Sequence, residues 1–227
     1  MAKDMTSGKP IKLIWNFTIP LLIGNLFQQL YNMADTFIVG RTIGVHALAS
    51  VGSTGSIIFL ILGFANGLTA GLAIPLAQRY GAKNYSGVKR SFYVSILISA
   101  VVAILLTILS MVFCRQILEV MQTPAEIIDG AYDYLMVIFA GIFSSMAFNL
   151  LSNIFRSIGD AKTPLYFLVI ACIMNIVLDV VFIAGFGTGV EGAGYATVVS
   201  QIFSAIACVV YIWKKIPVLR LTKEDLV

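Results

Sequence analysis

Six stretches of this chain contain no Asp, Glu, Lys or Arg: 13–34, 42–78, 91–113, 134–155, 163–178 continued by 180–190, and 192–213. A helix needs roughly 20 mostly apolar residues to cross a bilayer, so each run is long enough. Only 11% of residues are charged, whereas a soluble domain carries about a quarter. Mean hydropathy is +0.94. The runs predict an all-α integral membrane protein, a six-transmembrane-helix bundle over 13–213, flanked by an N-terminal segment (1–12) and a tail (214–227). The second run, 37 residues long, exceeds one core crossing and is too short for two with a turn. It reads as one long helix.

The first run is not a cleavable signal: its apolar part exceeds the usual 7–15 residues, and no small-residue cleavage site follows. Cys114, Cys172 and Cys208 show no useful spacing and read as small buried hydrophobes. His46 is the sole histidine, which excludes a His-based metal site.

Basic residues mark the orientation. Thirteen of the 15 fall in the N-terminal segment, the second and fourth connections and the tail, among them Lys9, Arg79, Lys83, Arg156, Lys162 and Lys214; only Arg41 and Arg115 lie on the opposite side. The positive-inside rule then makes both termini cytoplasmic. The net charge of +4 reflects this topology. No basic helix or aromatic platform accompanies it, so no nucleic-acid partner is expected.

Pro20 lies inside the first run. Proline removes a backbone hydrogen bond and bends a helix, giving either a tolerated kink or a hinge. Gly63, Gly67 and Gly71 lie four apart on one face of the second helix. Small residues at that spacing let helices approach closely, and packing is the preferred reading over cavity lining.

Of the 11 acidic residues, nine fall in loops, tails or helix ends. Asp35 and Asp179 do not. A carboxylate at mid-membrane costs about 2.5–3.5 kcal/mol on insertion scales, and such residues mark ion or proton pathways. Counted from helix ends near Gly40 and Gly187, the two sit roughly 8 and 12 Å inside the outer boundary at 1.5 Å per residue. Asn175 and Asp179 share a face of the fifth helix as i and i+4. Thr197 enters the sixth helix at a similar level, and the fourth helix offers Tyr134, with Asn149 deeper. No intramembrane Lys or Arg neutralises the pair, so it needs a cation, a proton or water. Asp35, Asn175, Asp179 and Thr197 supply hard oxygens suited to Na⁺. Two carboxylates so placed release protons as a coupled pair. Tyr134 and neighbouring Phe and Met side chains could hold an organic cation.

The stretches "IPLLIGNLFQQLYNMADTFIVGR", "ALASVG", "QRYGAKN", "FRSIGDAKTP", "NIVLDVVFI" and "GVEGAGYATVVSQ" together resemble the N-terminal lobe of a MATE (multidrug and toxic compound extrusion) transporter over essentially the whole chain. The resemblance implies a plasma-membrane antiporter that exports cationic, often aromatic drugs, driven by Na⁺ or H⁺ entry, with no cofactor beyond the coupling ion. It implies a cation site on residues matching Asp35, Asn175, Asp179 and Thr197, with Tyr134 and Asn149 beside it. The family has twelve helices in two lobes, so the expected partners are a C-terminal lobe or a second half-size chain, besides lipid and small cationic substrates. Alternatives are a lipid-precursor flippase, which would be expected to want basic cavity residues, and a non-transporting partner subunit. An intramembrane aspartyl protease fits poorly, because "SIGD" carries Ser157 where its motif has glycine. No enzymatic activity is expected.

Overall fold

The structure is a computed structural model that describes residues 9–220. Its regular elements are all helical: α1 (Pro10–Thr42), α2 (Val45–Gly81), α3 (Tyr85–Val112), α4 (Cys114–Val120), α5 (Ile128–Ala140), α6 (Ile142–Ser157), α7 (Lys162–Asp179) and α8 (Glu191–Lys215), with a short 3₁₀ turn at Pro217–Leu219. Most connections are a few residues long, so successive long helices run antiparallel. The α2–α3 and α6–α7 turns and the end of α8 therefore share one end of the bundle.

The six runs do not each form one unbroken helix. α3, α7 and α8 match their runs, and the 37-residue α2 is one helix as expected. The fourth run is broken: α5 and α6 meet at Gly141 with a 48° bend. A Cβ at Gly141 would overlap the Val198 side chain of α8, so the break forms where glycine alone fits against the neighbouring helix. The short α4 was not anticipated. α2, α3, α7 with the π-turn Val180–Gly185 that extends it, and α8 are long and apolar enough to span a membrane, and the bent pair, taken as one span, makes a fifth. α1 is long enough, but Asn25, Gln28, Gln29, Asn32 and Asp35 dilute its hydropathy. α1 stays helical through Pro20.

The core divides into three clusters. At the basic end, Leu76, Phe92, Leu150, Ile154, Phe155 and Ile212 pack together with Leu219. Leu219 therefore packs with the lobe. Arg220 turns back to donate from Nε to the Trp213 carbonyl at 2.6 Å, satisfying the C-terminal end of α8. A second cluster centres on Ile57, Leu118, Leu135, Phe139 and Met146. The third joins Val39, Ala47, Tyr134, Ile138, Ile183 and Ala193. All three cysteines are buried and free, as expected of small hydrophobes.

The packing expectation for Gly63, Gly67 and Gly71 does not hold within this lobe. All three are exposed, and a Cβ on any of them would meet nothing within 4 Å. α2 instead buries Ala65, Thr69, Ala73 and Leu76 on the opposite side of the helix, against α3, α5 and α6. Close approach through glycine occurs elsewhere: a Cβ on Gly194 of α8 would stand 2.9 Å from Val137 of α5.

Candidate cation site

α1 lies along α7, touching α2 and the end of α7 as well. Cys172 of α7 donates through its Sγ to the Phe27 carbonyl at 3.4 Å, and Gly24 sits under Leu165 and Leu168. This docking fixes the register of the two acidic helices. Asp35 lies seven residues before the end of α1, roughly 10 Å along the axis. Asp179 lies six before the end of the π-turn Val180–Gly185, at a similar depth.

The two carboxyl groups come within hydrogen-bonding reach of each other. Tyr134 of α5 and Tyr31 of α1 lie within electrostatic range of both. Asn175 Nδ2 donates to Thr197 Oγ1 at 3.4 Å, and the same oxygen meets the Tyr31 hydroxyl at 2.7 Å. The structure thus brings together Asp35, Tyr134, Asn175, Asp179 and Thr197 from four helices. Tyr31 was missed by sequence reasoning, although its i, i+4 spacing to Asp35 was visible.

Asp179 stands where α7 widens into the π-turn, an irregularity often found at functional positions. Phe182 in that turn rests edge-on against Tyr195 of α8, which holds the widened segment in place.

The cluster is closed to solvent. Asp179 and Asn175 are 0% exposed and Asp35 7%. Four buried acceptor atoms there, Asp35 Oδ1, Asn175 Oδ1 and both Asp179 oxygens, have no hydrogen-bond donor. Buried polar groups are nearly always satisfied, and two carboxylates in contact repel. The donor set fits a proton or a hard cation: all oxygen, two formal negative charges, and one amide and one hydroxyl to complete a coordination shell. No group of three or more His, Cys, Asp or Glu side chains forms a metal site among the described residues.

Two sequence candidates lie outside this cluster. Asn149 is about four helical turns along the bent α5–α6 pair from Tyr134 and lines a small separate pocket together with Pro20. Pro20 is buried, and its ring leaves the Asn16 carbonyl without its usual helical donor.

The MatE family profile matches residues 20–181, most of the described helices and both acidic positions. The chain belongs to the MatE family. Among its relatives, the probable multidrug resistance protein YoeA of Bacillus subtilis (strain 168) is 31% identical over 93% of this chain and 47% of its own length. The multidrug export protein MepA of Staphylococcus saprophyticus is 27% identical over 95% of this chain and 49% of its own length. Solved structures described as MATE in the straight and in the bent conformation align over 96% of this chain. Their TM-scores are 0.88 and 0.87, with 32% and 30% identity, covering 48% and 50% of those chains. The chain spans about half the length of the relatives it matches, consistent with a single MATE lobe. Its apolar helices and its relatives make it a multi-pass membrane protein.

Proposed function

We propose that this MATE lobe carries the ion-coupling site of a plasma-membrane exporter that exchanges Na⁺ or H⁺ for organic cations and drugs. The observation that carries this reading is the set of four donorless buried oxygens on Asp35, Asn175 and Asp179. Relatives named for multidrug resistance and export support the drug class.

In this reading the protein has six crossings, α1 supplying the sixth, with both termini cytoplasmic. In the outward-facing state an incoming Na⁺ or H⁺ settles between the two carboxylates. It cancels one charge, removes their repulsion and draws α1, α7 and α8 together through Asp35, Asp179 and Thr197. Asn175 and Thr197 orient the coordinating oxygens, while Tyr134 closes the inner side. Pro20 lets the outer part of α1 adjust to the filled site while its inner part stays docked. The inside-negative potential favours cation entry by about 2.3 kcal/mol per charge per 100 mV. The open glycine face of α2 then meets a second lobe, supplied by further chain or by a second copy, and drug passes between the two.

Ion binding is tested on the purified chain in detergent. Thermal unfolding is followed against NaCl, with choline chloride keeping chloride and ionic strength constant, and against pH. Wild type is expected to be stabilised by Na⁺ or by protonation; Asp35→Asn and Asp179→Asn are expected to lose that response. Export is tested by dye accumulation in cells, which should rise in both variants at equal membrane levels. Normal export by both would reject the reading.

A further inference from the structure

Asn149, Ser152, Asn153 and Arg156 occupy i, i+3, i+4 and i+7 of α6, one polar stripe along the helix. Part of the stripe is structural. Asn153 Nδ2 donates to Thr69 Oγ1 of α2 at 3.3 Å, and Arg156 Nη1 donates to Asn153 Oδ1 at 3.3 Å. Among the described residues that long contact is the only hydrogen bond of a guanidinium with five N–H donors. Arg156 Nε is buried without a partner, and so is the hydroxyl of Ser152, a residue only 4% exposed. No carboxylate among the described residues acts on Arg156; burial is the one influence on it. Asp160, the nearest acid in sequence, is turned to Thr163.

Arg156 and Ser152 are among the residues that line a pocket of about 40 Å³ between α6, α1 and the start of α7. Its polar lining is Arg156, Ser152, Asn149 and Gln28, and Pro20 and Gly24 of α1 form the opposite wall. Every one of these polar side chains can donate a hydrogen bond, and none is acidic. Arg156 is half-buried with no carboxylate partner among the described residues, and a cation so placed is costly without a counter-charge, so the chemistry calls for an anion. A water needs roughly 10–15 Å³ of such space, so the pocket admits a monatomic anion with at most a water or two and excludes organic anions.

We propose that this pocket binds one small inorganic anion of chloride size on Arg156 and Ser152, and that its occupancy fastens the inner half of α1 to α6. Asn149 and Gln28 complete the donor shell through their amide N–H groups. The site is separate from the carboxylate pair and opposite in sign. Because Pro20 belongs to its wall, the anion holds the segment below the proline while the segment above it answers to the cation.

Purified chain in detergent is unfolded thermally in sodium chloride, sodium bromide and sodium gluconate at equal sodium and ionic strength, so the cation site sees no change. Chloride and bromide are expected to raise Tm by about 2–4 °C over gluconate once they exceed their dissociation constant several-fold. Crystals grown in bromide are expected to show an anomalous peak at Arg156. R156Q should abolish the chloride response; if it does not fold, S152V, which fills the pocket from its uncharged side, should do the same. Equal stability in chloride and gluconate, an undiminished response in the foldable variant, or bromide density confined to other places would overturn the proposal. Failure of the sodium response with the chloride response intact would remove only the cation-coupling reading.

Discussion

The hydroxyls of Tyr31 and Thr197 meet at 2.7 Å, joining positions 166 apart in the chain. α1 leans on α7 and α2, and this pair of hydroxyls reaches past α7 to α8. The Thr197 oxygen also accepts from Asn175, so α1, α7 and α8 converge on one atom beside the carboxylate pair.

Tyr31→Phe keeps the ring and removes that link. A neutral hydrogen bond is worth about 1 kcal/mol net, so apparent affinity for the coupling ion should fall about fivefold, with little change in unfolding temperature in ion-free buffer. Sodium and proton titrations of the purified chain measure the first, thermal denaturation the second. An unchanged titration would mean the hydroxyl only packs.

Asp179→Asn makes the opposite kind of change. It deletes one of two adjoining buried negative charges while keeping the shape of the side chain. In sodium-free buffer at alkaline pH, where the repulsion is greatest, the variant should unfold at a temperature equal to or above that of wild type. A structural carboxylate would behave the other way, and a clear drop in Tm would show that Asp179 holds helices together instead of awaiting an ion.

Glycines on α2 and α5–α6 should respond oppositely to the same methyl group. Gly141→Ala drives a Cβ into Val198, and such overpacking costs about 1–3 kcal/mol. Gly67→Ala meets empty space and gains helix propensity of up to about 1 kcal/mol. Unfolding of the lobe in detergent should separate the two. A Gly67→Ala variant that folds well but fails in dye export would assign the open face to the contact with the second lobe.

Asp160 sits just before α7, in the turn where Gly159 takes a φ of 82°. Burial pushes its carboxyl up, while the Thr163 backbone N–H at 3.0 Å and hydroxyl at 2.7 Å pull it down, and the net position is below the ordinary carboxylate range. A carboxyl depressed by folding contributes its stability in full above its unfolded pKa of about 4, and loses it as pH falls through the lower folded value. Asp160→Ala should therefore cost about 0.5–2 kcal/mol at neutral pH, the range for loss of a helix cap. The gap to wild type should narrow below about pH 4 in thermal scans. A gap independent of pH would assign the loss to packing.

Much of this architecture was legible in the residues themselves. Charge is so costly in hydrocarbon that uncharged runs mark the spans, unpaired backbone groups are costly enough there to make each span a helix, and the cost of charge made Asp35 and Asp179 conspicuous. Counting residues from the helix ends placed them at one depth, because helical rise is a constant.

What lay beyond the sequence depended on neighbours. At the Gly141 break Val198 of α8 leaves no room for a side chain, a fact that no local pattern contains. The glycines of α2 looked like a packing seam, yet the tertiary structure turned that face outward, since periodicity defines a face without naming what it meets. Tyr31 and Thr197 became partners only when α1 docked on α7, and Arg156 became a half-buried cation with no carboxylate partner among the described residues only when α1 packed beside it. Local chemistry selects the helices and their rare charges; packing, which sums contacts between distant segments, decides which of those charges end up together and which end up alone.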